Sequence, residues 1–302
     1  MSAGRASLRP ISGVFLLDKA SGYSSNSSLQ KVRRLFQARK AGHTGSLDPL
    51  ASGLLPVCLG EATKLSSFLL NTDKRYRFRV RLGVETDTAD SEGRVVASRA
   101  VPDLSNTLIE AALEPLRGEI DQVPPMYSAL KHQGQRLYDL ARQGIEVERA
   151  SRRIFIYELR LLAFEADVVD LEVHCSKGTY VRSLAEVLGR TLGCGGHVEI
   201  LRRTAVGTLD ITDALTMDEL ESLSLEERDA HVRPMDQLVS HMPAIELNDE
   251  MSRLVRQGNP LFVPQAPTHG WVRLYGRGLG FLGLGEVLDD GRVGPRRMLA
   301  SV

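Results

Sequence analysis

The sequence predicts a mixed α/β domain built on a central sheet, followed by a small β-barrel. Three observations carry this. The segment KRYRFRVRLGV at 74–84 alternates strictly, with Tyr76, Phe78, Val80 and Leu82 on one face and Arg75, Arg77, Arg79 and Arg81 on the other. That is the pattern of a half-buried strand. Two later runs, IFIYELRLLAF and VVDLEVHC, read as further strands, and segments of helical periodicity lie before and after them. From about residue 248 the texture changes: eight of the 27 glycines lie between Gly270 and Gly294, among short runs such as WVRLY and FLGLGEV. Short strands with closely spaced turn signals suggest a small barrel. A boundary therefore falls near 245–250, giving a first domain over 1–247 and a second over 248–302.

Taken in order, GVFLLD reads as a short buried strand. In SGYSSNSSLQKVRRLFQARK, Leu29, Val32, Leu35 and Phe36 recur at helical spacing, and the preceding serines can cap the helix. Lys31, Arg33, Arg34, Arg39 and Lys40 occupy the rest of that helix and its exit. Residues 40–60 are rich in Gly, Ser and Pro and read as a loop entering an apolar segment. ETDTADSEG at 85–93 is an acidic loop, and 104–118 is a plausible helix. Residues 123–153 mix Pro, Gly, Tyr and bases in a long excursion, partly helical from Arg136 to Gln143; excursions of this length are usually functional or mobile. KGTYVRSLAEVLGRTLGCGG gives a turn, a helix and a Gly-rich stop, and Asp210 to Asp229 is strongly acidic.

Composition narrows the function class. The 302 residues carry 38 Lys+Arg and 38 Asp+Glu, a formal charge of zero. A uniformly basic coat is excluded, although a locally basic face is not. Hydrophobic residues at 42% and charged residues at 25% describe an ordinary globular chain. Cys58, Cys175 and Cys194 are scattered and have no metal-finger spacing, which argues against a disulfide framework or a cysteine zinc site. No signal peptide or membrane-spanning run is visible, so the cytoplasm is the expected address.

The loop GHTGSLDPLASG at 42–53 is the most informative stretch. It contains neither GxxxxGK[ST] nor GxGxxG, so it is not a phosphate-binding loop of either kind. It offers one carboxylate, Asp48, before a proline. Such an aspartate is most often a turn residue; held rigidly at the mouth of a sheet, it can instead act as nucleophile or base. His43 and Asp48 alone are too few ligands for a catalytic metal.

The full segment GHTGSLDPLASGLLPVCLGEATK resembles the signature of the TruB family of tRNA pseudouridine synthases. The resemblance continues through GVFLLDKASGYSS, KRYRFRVRLGVETDTADSEG, QVPPMYSALKHQGQRLYDLARQGIEVERASRRI, CSKGTYVRSLAEVLG and FLGLGEVLDDGRVGPRRML, in the family's order. Ala20 replaces the proline of the family's first motif, and Ser24 and Ser25 replace its Thr-Ser.

This resemblance implies a catalytic domain with a largely antiparallel central sheet, an RNA-gripping insertion at about 123–153 and a PUA-like C-terminal barrel. It implies isomerisation of uridine 55 of the tRNA T-loop to pseudouridine, without cofactor or metal. Asp48 would be the catalytic aspartate. Tyr76 would stack under the flipped uracil and, in one proposal for the family, take the C5 proton. Arg182 would pair with Asp48 and keep it ionised. Tyr180 and Leu201 would shape the uracil pocket, His43 would help to hold the opened loop, and Lys19, Gly42 and Thr44 would complete the substrate-binding set. The implied partner is the tRNA T-arm stem-loop, with no membrane and a monomeric enzyme. On this reading the zero charge is a sum over separated segments. A basic helix at 31–40, an arginine strand at 75–81 and a basic insertion would grip RNA on one side, while acidic stretches at 85–92 and 210–229 face away. A non-catalytic RNA chaperone would share the basic surfaces but has no need of Asp48. A metal-dependent hydrolase on His43 and Asp48 would need further ligands.

Overall fold

The computed structural model describes residues 8–128 and 130–300. Its main element is a mixed sheet. The strands that matter are β1 (Gly13–Lys19), β2 (Ala41–His43), β3 (Ser52–Leu59), β4 (Lys74–Leu82), β5 (Gly118–Gln122), β6 (Arg152–Glu165), β7 (Val168–Cys175) and β8 (Gly196–Val206). They lie in the order β1-β3-β8-β4-β7-β6-β5, with the short strand Leu215–Thr216 beyond β1 and with β2 pairing β3. Within this path only β3–β8 is parallel; the other neighbours are antiparallel.

Helices α1 (Ser25–Leu35), α2 (Asn106–Leu113) and α3 (Val181–Thr191) cover one face. Leu29 and Val32 of α1, Ile109 and Leu113 of α2, and Leu184 and Leu188 of α3 pack with Phe78, Val80, Leu171, Val173 and Val198 of the sheet. Ser24 caps α1 by accepting from the Ser27 N–H, and Ser105 caps α2 by accepting from the Leu108 N–H. On β1, Phe15 and Leu17 face this core, while Val14 and Leu16 face a second core on the other side. Burial on both faces explains why GVFLL is uninterrupted apolar sequence.

The C-terminal unit is a four-stranded sheet of β9 (Ala244–Leu247), β10 (Gly270–Gly276), β11 (Gly280–Val287) and β12 (Val293–Met298), with helix α4 (Asp249–Arg256) beside it. β9 pairs with β10, so residues 244–247 belong structurally to this unit. Leu284 enters the second core, and Trp271 meets Phe68 edge-on at 5.1 Å.

Two charge readings need correction. The arginines of β4 are not a free basic surface. Arg75 pairs with Glu158, Arg77 with Glu172, Arg79 with Asp170, and Arg81 with both Asp167 and Glu199. Glu172 and Asp170 stand directly opposite Arg77 and Arg79 on the neighbouring antiparallel strand, where cross-strand pairs meet, and Glu158 reaches Arg75 from one strand further out. Nor does the acidic 210–229 stretch stand apart from the basic helix. Glu221 binds Lys31 at 2.7 Å and Asp229 binds Arg9. Glu219 and Glu227 are used in capping boxes with Thr216 and Ser224.

Candidate active site

Asp48 sits in the loop between β2 and β3, and four contacts fix that loop from below. The Ser25 hydroxyl accepts from the Leu47 N–H at 2.7 Å and donates to the Leu47 carbonyl at 3.0 Å. The Gly22 N–H donates to the Pro49 carbonyl at 2.8 Å, and the Ala51 N–H to the Asp48 carbonyl at 3.0 Å. At the loop's exit, Gly53 has φ +104, and a Cβ there would lie 2.2 Å from the Arg203 carbonyl oxygen. Only glycine allows β3 to approach β8 so closely.

Arg182 lies on the first turn of α3 and reaches Asp48 through Nε at 3.1 Å. Its side chain is 4% exposed, that of Asp48 41%. The guanidinium is also held by Asp90 at 3.4 Å, by the Thr88 carbonyl at 3.0 Å and by the Tyr127 carbonyl at 2.6 Å. Asp90 is buried and accepts from the Thr88 hydroxyl at 2.5 Å and the Glu92 N–H at 3.1 Å. Burial pushes the Asp48 carboxyl above the ordinary aspartate range; Arg182 and Lys19 pull it back, and Asp90 adds to the rise. The pair therefore gives a partly open carboxylate oriented by a fixed cation, with basicity raised by its surroundings.

Tyr76 lies on β4, opposite Val173 of β7 and Arg203 of β8. It shares a cleft of about 100 Å³ with Asp48, Arg182, Tyr180, Leu201 and the turn at Ser46 and Leu47. That volume is well below the roughly 300–1,000 Å³ of a typical ligand pocket, so only a fragment of a larger substrate fits. Gln122 accepts from the Tyr180 N–H at 2.7 Å and donates to the Tyr180 carbonyl at 3.0 Å, which fixes the cleft's rim.

The structure thus brings Asp48, Tyr76, Arg182, Tyr180 and Leu201 together. The other four residues do not line the cleft. Lys19 is buried under the loop, and its ammonium donates to the Ala20, Tyr23 and Pro49 carbonyls at 2.9, 2.7 and 3.5 Å. Through these three bonds Lys19 supports the loop. Burial pulls its pKa down to about 8. Thr44 is fully buried. Gly42 and His43 run along β2, with His43 opposite Val57. Burial and Arg203 hold the His43 imidazole below its usual pKa. Its Nδ1 and the Thr44 hydroxyl are buried without a partner among the described residues.

Asp90, Arg203, Gln122 and Ser25 were not legible as site residues. Asp90 lies in an acidic loop of solvated appearance, and its one local sign is structural: Ala89 before it takes φ +60. Among the described residues no three His, Cys, Asp or Glu side chains converge as a metal site, and no helix is long and apolar enough to cross a membrane.

Comparison with known proteins follows the same lines. A family model described as TruB family pseudouridylate synthase (N terminal domain) matches residues 33–181. A tRNA pseudouridylate synthase B C-terminal domain matches 182–240, and a Pseudouridine synthase II TruB C-terminal model matches 243–299. The tRNA pseudouridine synthase B of Nitrosococcus oceani is 52% identical over 294 residues, 96% of each chain. That of Vibrio parahaemolyticus is 50% identical over 309 residues, 98% of each chain. Among solved structures, a chain of a Cbf5-Nop10-Gar1 complex superposes with a TM-score of 0.70 at 27% identity, covering 91% of this chain and 78% of that one. A chain of an H/ACA RNP bound to a substrate RNA containing 2′-deoxyuridine shares the fold, with a TM-score of 0.72 at 23% identity, covering 95% of this chain and 85% of that one.

Proposed function

The chain belongs to the TruB family of pseudouridylate synthases, and from that premise we propose that it isomerises uridine 55 in the T-loop of tRNA, with Asp48 as the attacking group. As a member of that family it is an isomerase. The observation that carries the specific reading is the cleft. A partly exposed carboxylate stands 3.1 Å from a buried arginine, in a space of about 100 Å³ floored by a tyrosine.

A base stacked inside a folded tRNA loop is out of reach, so the uridine is flipped out of its stack. The small cleft takes the uracil ring and leaves the rest of the nucleotide outside. Tyr76 offers the aromatic face that offsets the lost stacking, and Leu201 and Tyr180 close the sides. Arg182 keeps Asp48 charged and aimed, so the attacking oxygen needs no rearrangement. The Asp48 oxygen bonds to the nucleoside, the C1′–N1 bond breaks, the ring turns and a C1′–C5 bond forms, and the Asp48 bond is broken again to return the free carboxylate. A proton leaves C5, for which Tyr76 is the acceptor, and N1 gains one. Atoms and electrons balance without an oxidant or cofactor. The insertion supplies the RNA grip: Tyr138 lies between Arg136 and Arg142, whose guanidinium carbons are 5.7 and 5.6 Å from its ring centre.

An Asp48→Asn enzyme tests this. Pseudouridine formation in a T-arm stem-loop falls to background, while binding of the same RNA persists within about threefold, or ~0.7 kcal/mol. A variant that still turns over removes Asp48 from the chemistry.

A further inference from the structure

We propose that Arg203 is the positioning residue of Tyr76, presenting its hydroxyl as a proton acceptor in the way that Arg182 presents Asp48. This rests on the reading of Tyr76 given above.

Arg203 is the largest fully buried side chain among the described residues, at 1% exposure. A guanidinium in that position ordinarily faces a carboxylate, because an uncompensated buried charge is strongly unfavourable. Among the described residues Arg203 has none: burial and Tyr76 are what act on its charge. Its Nε donates to the Leu54 carbonyl at 2.8 Å, and its Nη2 to the Gly45 carbonyl at 3.1 Å. The side chain that faces it across the β4–β8 pair is Tyr76, which acts on its charge against burial. Two bonds therefore anchor it to the catalytic loop and to β3, and its guanidinium stands beside the Tyr76 phenol across the strand pair.

The backbone is built to permit this. Arg203 lies directly opposite Tyr76, and the register then slips, so that Ala205 rather than Thr204 faces Arg75. From Leu201 to Arg203 the pairing with β4 is in register, so Arg203 shares the inner face of Leu201 and Tyr76 by the ordinary alternation of a strand. Gly53 lets β3 come close enough for Leu54 to accept. Arg202, one residue earlier, points the other way and pairs with Asp18 at 2.6 Å.

The chemistry follows from the donor. A phenol that accepts a bond from a guanidinium has its phenolate stabilised relative to its neutral form. Burial acts against that charge at Tyr76, and Arg203 offsets it. In the last step the C5–H bond breaks, its proton passes to the Tyr76 oxygen, and its electron pair forms the C5–C6 double bond while N1 is protonated. The product ring is neutral, and Arg203 keeps its proton throughout. The two arginines thus divide the work, one behind each reacting side chain.

The test is single-turnover pseudouridine formation on T-arm RNA across neutral to alkaline pH. It compares wild type, Tyr76→Phe, Arg203→Met, Arg203→Lys and the double variant Tyr76→Phe/Arg203→Met. RNA affinity is read in parallel. Arg203→Met slows the reaction by about 10²–10⁴-fold, the usual span of a proton-transfer contribution, with RNA affinity unchanged. The double variant is no slower than Tyr76→Phe, because the two residues act as one unit. In Arg203→Lys the rise of rate with pH moves to higher pH, which loop support alone does not produce. This variant keeps a cation and carries the test where the methionine variant fails to fold. A fast Arg203→Met beside a slow Tyr76→Phe overturns the inference alone, as do losses that multiply in the double variant with an unmoved pH profile. A Tyr76→Phe enzyme at the wild-type rate overturns the assignment of Tyr76, and the inference with it.

Discussion

Asp48 and Arg182 are 3.1 Å apart and unequally exposed: the aspartate is open to the cleft, while the arginine is buried and held from behind. Because Asp90 and burial raise the Asp48 pKa, the acid limb of the rate lies above the ordinary aspartate value of about 3.9. On the proposed mechanism the reaction needs the carboxylate, so activity is lost as pH falls through that raised pKa. Asp90→Asn removes a negative charge that raises it, so the limb moves to lower pH while the maximal rate falls, because Arg182 loses one anchor. A single-turnover pH profile checks both, and a limb that moves to higher pH contradicts the account. Asp48, Tyr76 and Arg182 were legible because they stand in long motifs of fixed order. Asp90 and Arg203 were not, since a loop acid and a strand arginine both look solvated until the fold buries them.

At the scale of elements, β4 and β8 make opposite cases. The strict alternation of β4 survives in the structure, with Phe78, Val80 and Leu82 buried. The sequence of β8 does not announce a strand, because register shifts between Val198 and Ile200 and between Arg203 and Ala205 break the period of two. That is why the central strand carrying Leu201 and Arg203 is hidden while its neighbour is plain. The β3–β8 approach gives a stability prediction. Gly53→Ala places a Cβ 2.2 Å from a backbone oxygen at φ +104, and costs on the order of 2–4 kcal/mol in urea unfolding. An unchanged midpoint contradicts the close approach. The ion pairs of β4 give another. Arg79 is already matched by Asp170 at 2.8 Å, so Arg79→Gln leaves RNA affinity within about twofold. Arg142→Gln, beside Tyr138 on the insertion, weakens binding by about 1 kcal/mol and flattens its salt dependence. Equal losses in the two variants restore the arginine strand as an RNA surface.

The molecule as a whole carries 38 basic and 38 acidic side chains, and the fold brings many of them together. The arginine strand is laced to its neighbours, and the acidic 210–229 stretch is tied to Arg9 and to Lys31 of α1. Separated blocks along a chain say little about separation in space, so the one-sided charge pattern read from the sequence does not carry over. What does carry over is the order of motifs, which folds into a two-faced sheet with one small cleft at the junction of β4, β8, α3 and the Asp48 loop. On the function proposed above, this cleft converts one uridine of the tRNA T-loop. The most direct measurement is mass-spectrometric mapping of pseudouridine in an unmodified tRNA transcript treated with the wild-type protein and with its Asp48→Asn variant. The expected outcome is a single pseudouridine at position 55 with the former and none with the latter. Modification elsewhere, or an equal yield from both proteins, would contradict it.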